Sequence, residues 1–182
     1  AKEAMGDEAN LIIKKGTQES VRDQVDAGID IPTDGEIARE NYIHYHCRHL
    51  EGFDFKNLTE KTLRTGNYSS FLPTVRDNIK IRDLFLLKDW ERAQQATDKP
   101  VKITMPGPLT VADTVADVFY GDQKVLGRAI ADALNKEVLS LANAGCKHIQ
   151  IDEPLFARYP EKAIEFGIDN LERSFHNCPK TV

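Results

Sequence analysis

The chain is 182 residues long, carries a formal net charge of −5 and is 41% hydrophobic, enough for one core of ordinary globular density. No run of about 18 apolar residues occurs, which excludes a membrane-spanning helix. The mild acidity and the absence of a Lys/Arg run argue against nucleic acid as a partner, so the expected partners are small molecules.

Residues 1–10 show no basic segment followed by an apolar stretch, so no signal peptide is expected, although the chain does not begin with Met. The three cysteines, Cys47, Cys146 and Cys178, are odd in number and widely spaced. That fits a reducing cytoplasm better than a disulfide framework.

The chain opens on a helix with no strand before it and closes that helix at Ala27-Gly28. Gly28 suits the left-handed position that ends a helix. Ile29 to Ile31 then read as a short buried strand, with Asp34 and Glu36 just past its end. Residues 52–75 break the rhythm, and Phe53/Phe55, Thr-rich runs and a Gly66-Asn67 turn predict a β-hairpin excursion. Residues 78–97 place Ile81, Leu84, Phe85 and Trp90 at helical spacing, with Asp77 or Asn78 as cap.

A second strand is predicted over Val101–Met105, followed by the stiff turn Pro106-Gly107-Pro108. Residues 124–144 carry the clearest helical stripe, Leu126, Ile130, Leu134, Val138 and Leu141. This helix ends at Ala144-Gly145, and His148 to Ile151 form a third strand that runs into Asp152 and Glu153. Residues 140–154 thus echo residues 23–36: helix, Ala-Gly, short strand, acidic pair. A last helix is predicted from Pro160 to about His176, with Pro160 tolerated in its first turn.

Strands alternating with helices predict a parallel α/β sheet. A closed eight-stranded barrel needs roughly 250 residues, and three strands would leave two unpaired edges. The expectation is therefore one incomplete (β/α) barrel domain over residues 1–182, with the remainder elsewhere or an oligomer covering the edges.

In such a barrel the loops after the strands build the active site. Asp34, Glu36, Asp152 and Glu153 all fall there, and together could hold an ammonium group, coordinate a cation or do acid/base work. The plainer alternative is that they cap helices or pair with Arg39 and Arg158. His44-Tyr-His-Cys-Arg-His49 has metal-ligand chemistry, but the helical pairs His46/His49 and His44/Cys47 point apart. The preferred reading is that some of these residues line the pocket mouth or pack with Tyr42 and Tyr45, and no metal site is assigned. Cys146 reads as core filler, and Cys178 has no partner spacing.

Three motifs in this order, AGIDIPTDGE at 27–36, PGPLT at 106–110 and HIQIDEP at 148–154, resemble the C-terminal catalytic barrel of cobalamin-independent methionine synthase. The hairpin over Phe53 to Val75 also resembles that of the shorter, single-barrel relatives. The resemblance implies a (β/α)8 TIM-type barrel of the methionine synthase and uroporphyrinogen decarboxylase type, covered from about helix 1 to helix 4 or the start of strand 5. It implies transfer of a methyl group to the zinc-activated thiol of homocysteine, which forms methionine. Zinc would lower the thiol pKa so that the thiolate exists at neutral pH.

Glu36 and Asp152 match the family positions expected to hold the amino-acid substrate. The family's zinc ligands are expected beyond Val182, and its Gly-Ser-Phe-Pro turn beyond the other end. Folate-dependent members carry Trp where this chain has Thr114, and an acidic residue where it has Arg158. The alternatives are a corrinoid-dependent or coenzyme-thiol alkyltransferase of the same superfamily, and a catalytically incomplete fragment that only binds an amino acid. A porphyrinogen decarboxylase would want a cationic mouth, and this one is acidic.

Overall fold

The computed structural model describes residues 2–63, 66 and 68–179. Helix α1 (Lys2–Asp26) ends where the sequence says it should, with Gly28 at φ +90 and Ile29 N–H donating to Gln24 O at 2.9 Å. The strand expected at Ile29–Ile31 does not form. Ile29 and Ile31 are exposed, and the only sheet contact is a single parallel bridge from Thr33 to Lys102 among the described residues. Pro32 has no N–H to donate and contributes only its carbonyl, to Lys102 N at 2.8 Å. The segment is instead clamped from α1, whose Gln24 side chain donates to Thr33 O and accepts from Thr33 N.

After the short helix α2 (His44–Arg48), strands β1 (Leu50–Leu63) and β2 (Tyr68–Ile81) pair antiparallel from Leu50↔Ile81 to Leu63↔Tyr68. This is the expected hairpin, longer than residues 52–75 at both ends. Of its predicted turn, Gly66 has φ +96, and Asn67 lies outside the described residues. The helix expected over 78–97 begins only at Leu86: α3 runs Leu86–Gln94. Residues 78–81 belong to β2 because Ile79 and Ile81 alternate with Asn78 and Lys80 in the two-residue period of a strand. Asp77 and Asn78 therefore cap nothing on α3.

Strand β3 (Lys102–Pro106) leads through Gly107 into α4 (Pro108–Thr114), and the two-residue β4 (Ala116–Asp117) pairs parallel with β2. Asp122 accepts from Lys124 N and Val125 N to cap α5 (Gln123–Asn143), which ends before Gly145 at φ +93, as α1 ends before Gly28. Strand β5 (His148–Asp152) pairs parallel with β3, from Lys102↔His148 to Pro106↔Asp152. A short helix α6 (Leu155–Arg158) precedes the expected last helix, which runs unbroken from Pro160 to Ser174 as α7 (Pro160–Lys162), a π-turn over Ala163–Gly167 and α8 (Ile168–Ser174).

The core lies between α5 and the strands. Leu126, Ile130, Leu134, Val138 and Leu141 pack with Ile103 and Met105 of β3 and with Val75 and Ile79 of β2. The architecture is mixed α/β, and among the described residues its sheets, one of three strands and one of two, are not closed. Among the described residues, no helix is long and apolar enough to cross a membrane.

Candidate active site

Two of the four candidate carboxylates lie along the same pair of parallel strands, Glu36 against the middle of β3 and Asp152 at the end of β5. Asp152 is the last residue of β5, opposite Pro106 of β3. Glu36 arrives on the loop beside β3, where its Oε1 accepts from the Thr104 hydroxyl at 3.0 Å. The Tyr42 phenol lies in the field of both acids.

The loop that carries Glu36 is tightly held. Glu36 sits at φ +55, a left-handed conformation that costs a non-glycine residue about 1–2 kcal/mol. The turn is fixed by Glu36 N–H donating to Asp34 Oδ1 at 3.2 Å and by the buried guanidinium of Arg39. Arg39, 1% exposed at its side chain, approaches Glu36 Oε1 at 3.1 Å and Asp34 Oδ2 at 3.7 Å, and donates to Thr104 O at 2.7 Å. Gly35, at φ +67, lies against Ser20 of α1 with no room for a Cβ. Among the described residues, no hydrogen bond reaches Glu36 Oε2, and its side chain is 40% exposed.

Asp152 is set by two neighbours. Gln150, itself held by Lys102 Nζ at 2.7 Å, donates to Oδ1, and the Tyr42 hydroxyl donates to Oδ2 at 3.3 Å. Burial pushes the Tyr42 phenol above its ordinary range, with the Asp152 charge adding to it, so the hydroxyl keeps its proton at neutral pH.

Asp34 and Glu153 face inward. Asp34 is 2% exposed, and burial raises its pKa despite the Arg39 charge. Both oxygens of Glu153 are occupied at the start of α4, where Leu109 N donates to one at 2.8 Å and Thr110 N and its hydroxyl to the other at 3.0 and 2.6 Å. Gly107 allows this approach, since a Cβ there would overlap the Glu153 carboxylate. Burial raises the Glu153 pKa as well.

The His/Cys segment is scattered by packing. His46 is buried with Nδ1 on Tyr42 O at 3.0 Å, its pKa pushed down to about 3 mainly by burial, and its ring edge-on to Tyr45. Cys47 is part of the core. His49 stacks on Phe85 and bonds Asp83 at 2.7 Å, while His44 packs edge-on to Phe55. Among the described residues, no three His, Cys, Asp or Glu side chains are placed to hold a metal ion.

Three contributors lay outside the sequence reading of the site. Thr104 sits within a predicted strand, Gln150 faces its exposed side, and Tyr42 lies 110 residues from the aspartate it touches. Only Arg39, three residues after Glu36, had a local signal.

The sequence pattern of the family described as "Cobalamin-independent synthase, Catalytic domain" matches residues 1–165. A methionine synthase of Sulfolobus acidocaldarius is 31% identical over 155 residues, which cover 85% of this chain and 44% of that protein. One from Saccharolobus solfataricus is 35% identical over 155 residues, covering 84% and 45%. The solved B12-independent methionine synthase of Shewanella sp. W3-18-1, in complex with selenomethionine, superposes with a TM-score of 0.88 at 32% identity, over 94% of this chain and 50% of that one. The chain thus spans about half the length of the relatives it matches. The motifs and these matches agree, and the chain belongs to the cobalamin-independent methionine synthase catalytic-domain family.

Proposed function

We propose that this chain contributes the amino-acid-binding portion of a methionine-synthase-type methyltransferase, within one (β/α)8 barrel domain of which residues 1–182 form a part. The two-stranded parallel sheet with its following helices supports the barrel reading, as does the coverage of half of the Shewanella chain. The reaction is attack of the homocysteine thiolate on the methyl group of a donor. A C–S bond forms, the bond from carrier to methyl breaks, and the carrier keeps that electron pair.

One observation carries the reading: Tyr42 bonds Asp152 and lies in the field of Glu36, whose second oxygen no described hydrogen bond reaches. Asp34, Glu36 and Asp152 outnumber the nearby cations Arg39 and Lys102, which leaves acidic oxygens suited to an α-ammonium group. Selenomethionine in the Shewanella complex is an amino acid of the expected class. Asp34 and Glu153 stand behind the pair, one bracing the Glu36 turn and the other the start of α4. Zinc, which the resemblance implies for thiol activation, finds no ligand set among the described residues, and no step is routed through it. Thr114 turns its hydroxyl back to Thr110 O at 2.6 Å and offers no aromatic face. That favours a methyl donor other than a stacked folate, such as a corrinoid or another carrier.

Calorimetric titration with L-methionine tests the reading. Binding by the unaltered chain that is lost in Glu36→Gln and Asp152→Asn is expected. Equal binding by all three would end it.

A further inference from the structure

We propose that Tyr42 is a specificity-determining residue whose hydroxyl oxygen supplies a third acceptor beside Glu36 and Asp152, so that the site selects a primary ammonium group. The proposal rests on the reading of Glu36 and Asp152 as the amine-binding pair and adds the class of amine they take.

Tyr42 is fixed from the rear. Its backbone carbonyl is bonded to His46 Nδ1 at 3.0 Å, and its ring packs edge-on against the His46 ring, with centroids 6.5 Å apart. His46 is buried and neutral, so this anchor does not titrate near neutral pH. From that anchor the phenol reaches Asp152 Oδ2 at 3.3 Å and lies in the field of both site carboxylates, Asp152 first and Glu36 after it. The single proton of the hydroxyl goes to Asp152, and the oxygen lone pairs stay open to a donor from the ligand. The bond to Asp152 is longer than a typical O–H···O contact, so the group has slack to turn toward a ligand.

An α-ammonium group carries three N–H donors. Glu36 Oε2, an Asp152 oxygen and the Tyr42 oxygen give it one acceptor each. A secondary ammonium has only two donors and leaves one of the three acceptors unpaired. An N-acyl nitrogen has one donor and no charge. A site built to satisfy a donor rejects analogues that lack it.

The test is calorimetry on the full chain near neutral pH with L-methionine, N-methyl-L-methionine and N-acetyl-L-methionine. The unaltered chain is expected to bind L-methionine roughly tenfold more tightly than the N-methyl compound, with no binding of the N-acetyl compound. Tyr42→Phe keeps the ring, and it should weaken L-methionine by roughly five- to tenfold and leave little preference over N-methyl-L-methionine. Equal affinity of the unaltered chain for methionine and its N-methyl analogue overturns the proposal without any variant. So does a Tyr42→Phe chain with unchanged affinity and unchanged preference. Asp152→Asn separates the two levels: if it binds L-methionine as the unaltered chain does, the acidic-pair reading itself has failed. If it loses binding while Tyr42→Phe does not, only the role of Tyr42 is wrong. No binding by the unaltered chain overturns both.

Discussion

Glu137, in the second half of α5, reaches the start of α3, where its Oε1 accepts the N–H of Phe85 at 3.0 Å and its Oε2 that of Leu86 at 3.3 Å. A fully buried carboxylate thus does the work of an N-cap from 52 residues away along the chain. Burial pushes its pKa up to about 7, while the two N–H donors pull the other way. The folded pKa exceeds the ordinary 4.5, so the contribution is intact below about pH 4.5. It is lost as pH rises toward 7, because the unfolded chain releases the proton first. Stability of the unaltered chain should fall by about 1–3 kcal/mol across that window, and Glu137→Gln should flatten the slope. Urea melts at pH values on either side of the window read this directly. Glu137→Ala, which strands two buried N–H groups, should cost about 3 kcal/mol below about pH 4.5 and less as the pH rises through the window.

That cap also shows where the sequence stopped being readable. The α5 stripe and the left-handed closures at Gly28 and Gly145 were legible because helix periodicity and glycine conformations are local properties. The cap of α3 was not, since a glutamate in the middle of a helix carries no local mark of being a cap. Residues 78–81 misled for a related reason: Ile81, Leu84 and Phe85 also fit helical spacing, and the pairing that decides for a strand comes from Leu50 and Glu51. Ile29–Ile31 had the composition of a strand, but Pro32 and the single bridge at Thr33 left it without a ladder. At the site, the acids were visible as motif residues, while Tyr42 and Thr104 become site residues only when the chain folds.

Arg39 is shared by Asp34 and Glu36, and its side chain is almost wholly buried. Replacing it with Met leaves Asp34 buried without a counter-charge. Arg39→Met should therefore cost about 3–5 kcal/mol, seen as a lowered urea midpoint. Adding Asp34→Asn removes the stranded charge and should recover part of the loss. A double variant no more stable than the single one would show that the pair does not carry the turn. Arg39→Lys should be intermediate, because an ammonium cannot reach Thr104 and both acids as the planar fork does.

His46 gives a slope of opposite sign to that of Glu137. Its folded pKa lies at about 3, below the ordinary 6.5, because burial disfavours the charged ring and Arg39 repels it. Its contribution is complete above pH 6.5 and is lost as the pH falls toward 3, when the unfolded chain gains a proton that the folded chain refuses. His46→Leu should flatten this acid limb. Urea melts between pH 6.5 and 4 would show it, and an unchanged slope would mean that the ring finds a solvated position.

Asp152 and Glu153 are adjacent carboxylates at one strand end, and the structure gives them different work. Asp152 accepts from Tyr42 and Gln150 at the mouth, whereas Glu153 turns inward to fill both oxygens at the start of α4. The Gly107 backbone approaches Glu153 too closely for any side chain, so that carboxylate cannot swing out without opening the turn. Asp152→Asn keeps the shape and removes a charge that faces the ligand. It should weaken L-methionine binding by roughly tenfold or more and change stability by less than about 1 kcal/mol. Glu153→Gln turns one acceptor into a donor facing N–H groups, which should cost about 1–3 kcal/mol and leave affinity within about twofold where the protein is folded. Denaturation and calorimetry on both variants give four values. The crossed pattern, affinity lost in one and stability in the other, follows only if the two acids divide the work in this way. Equal losses of both kinds in Asp152→Asn would make that residue structural and remove half of the acidic pair.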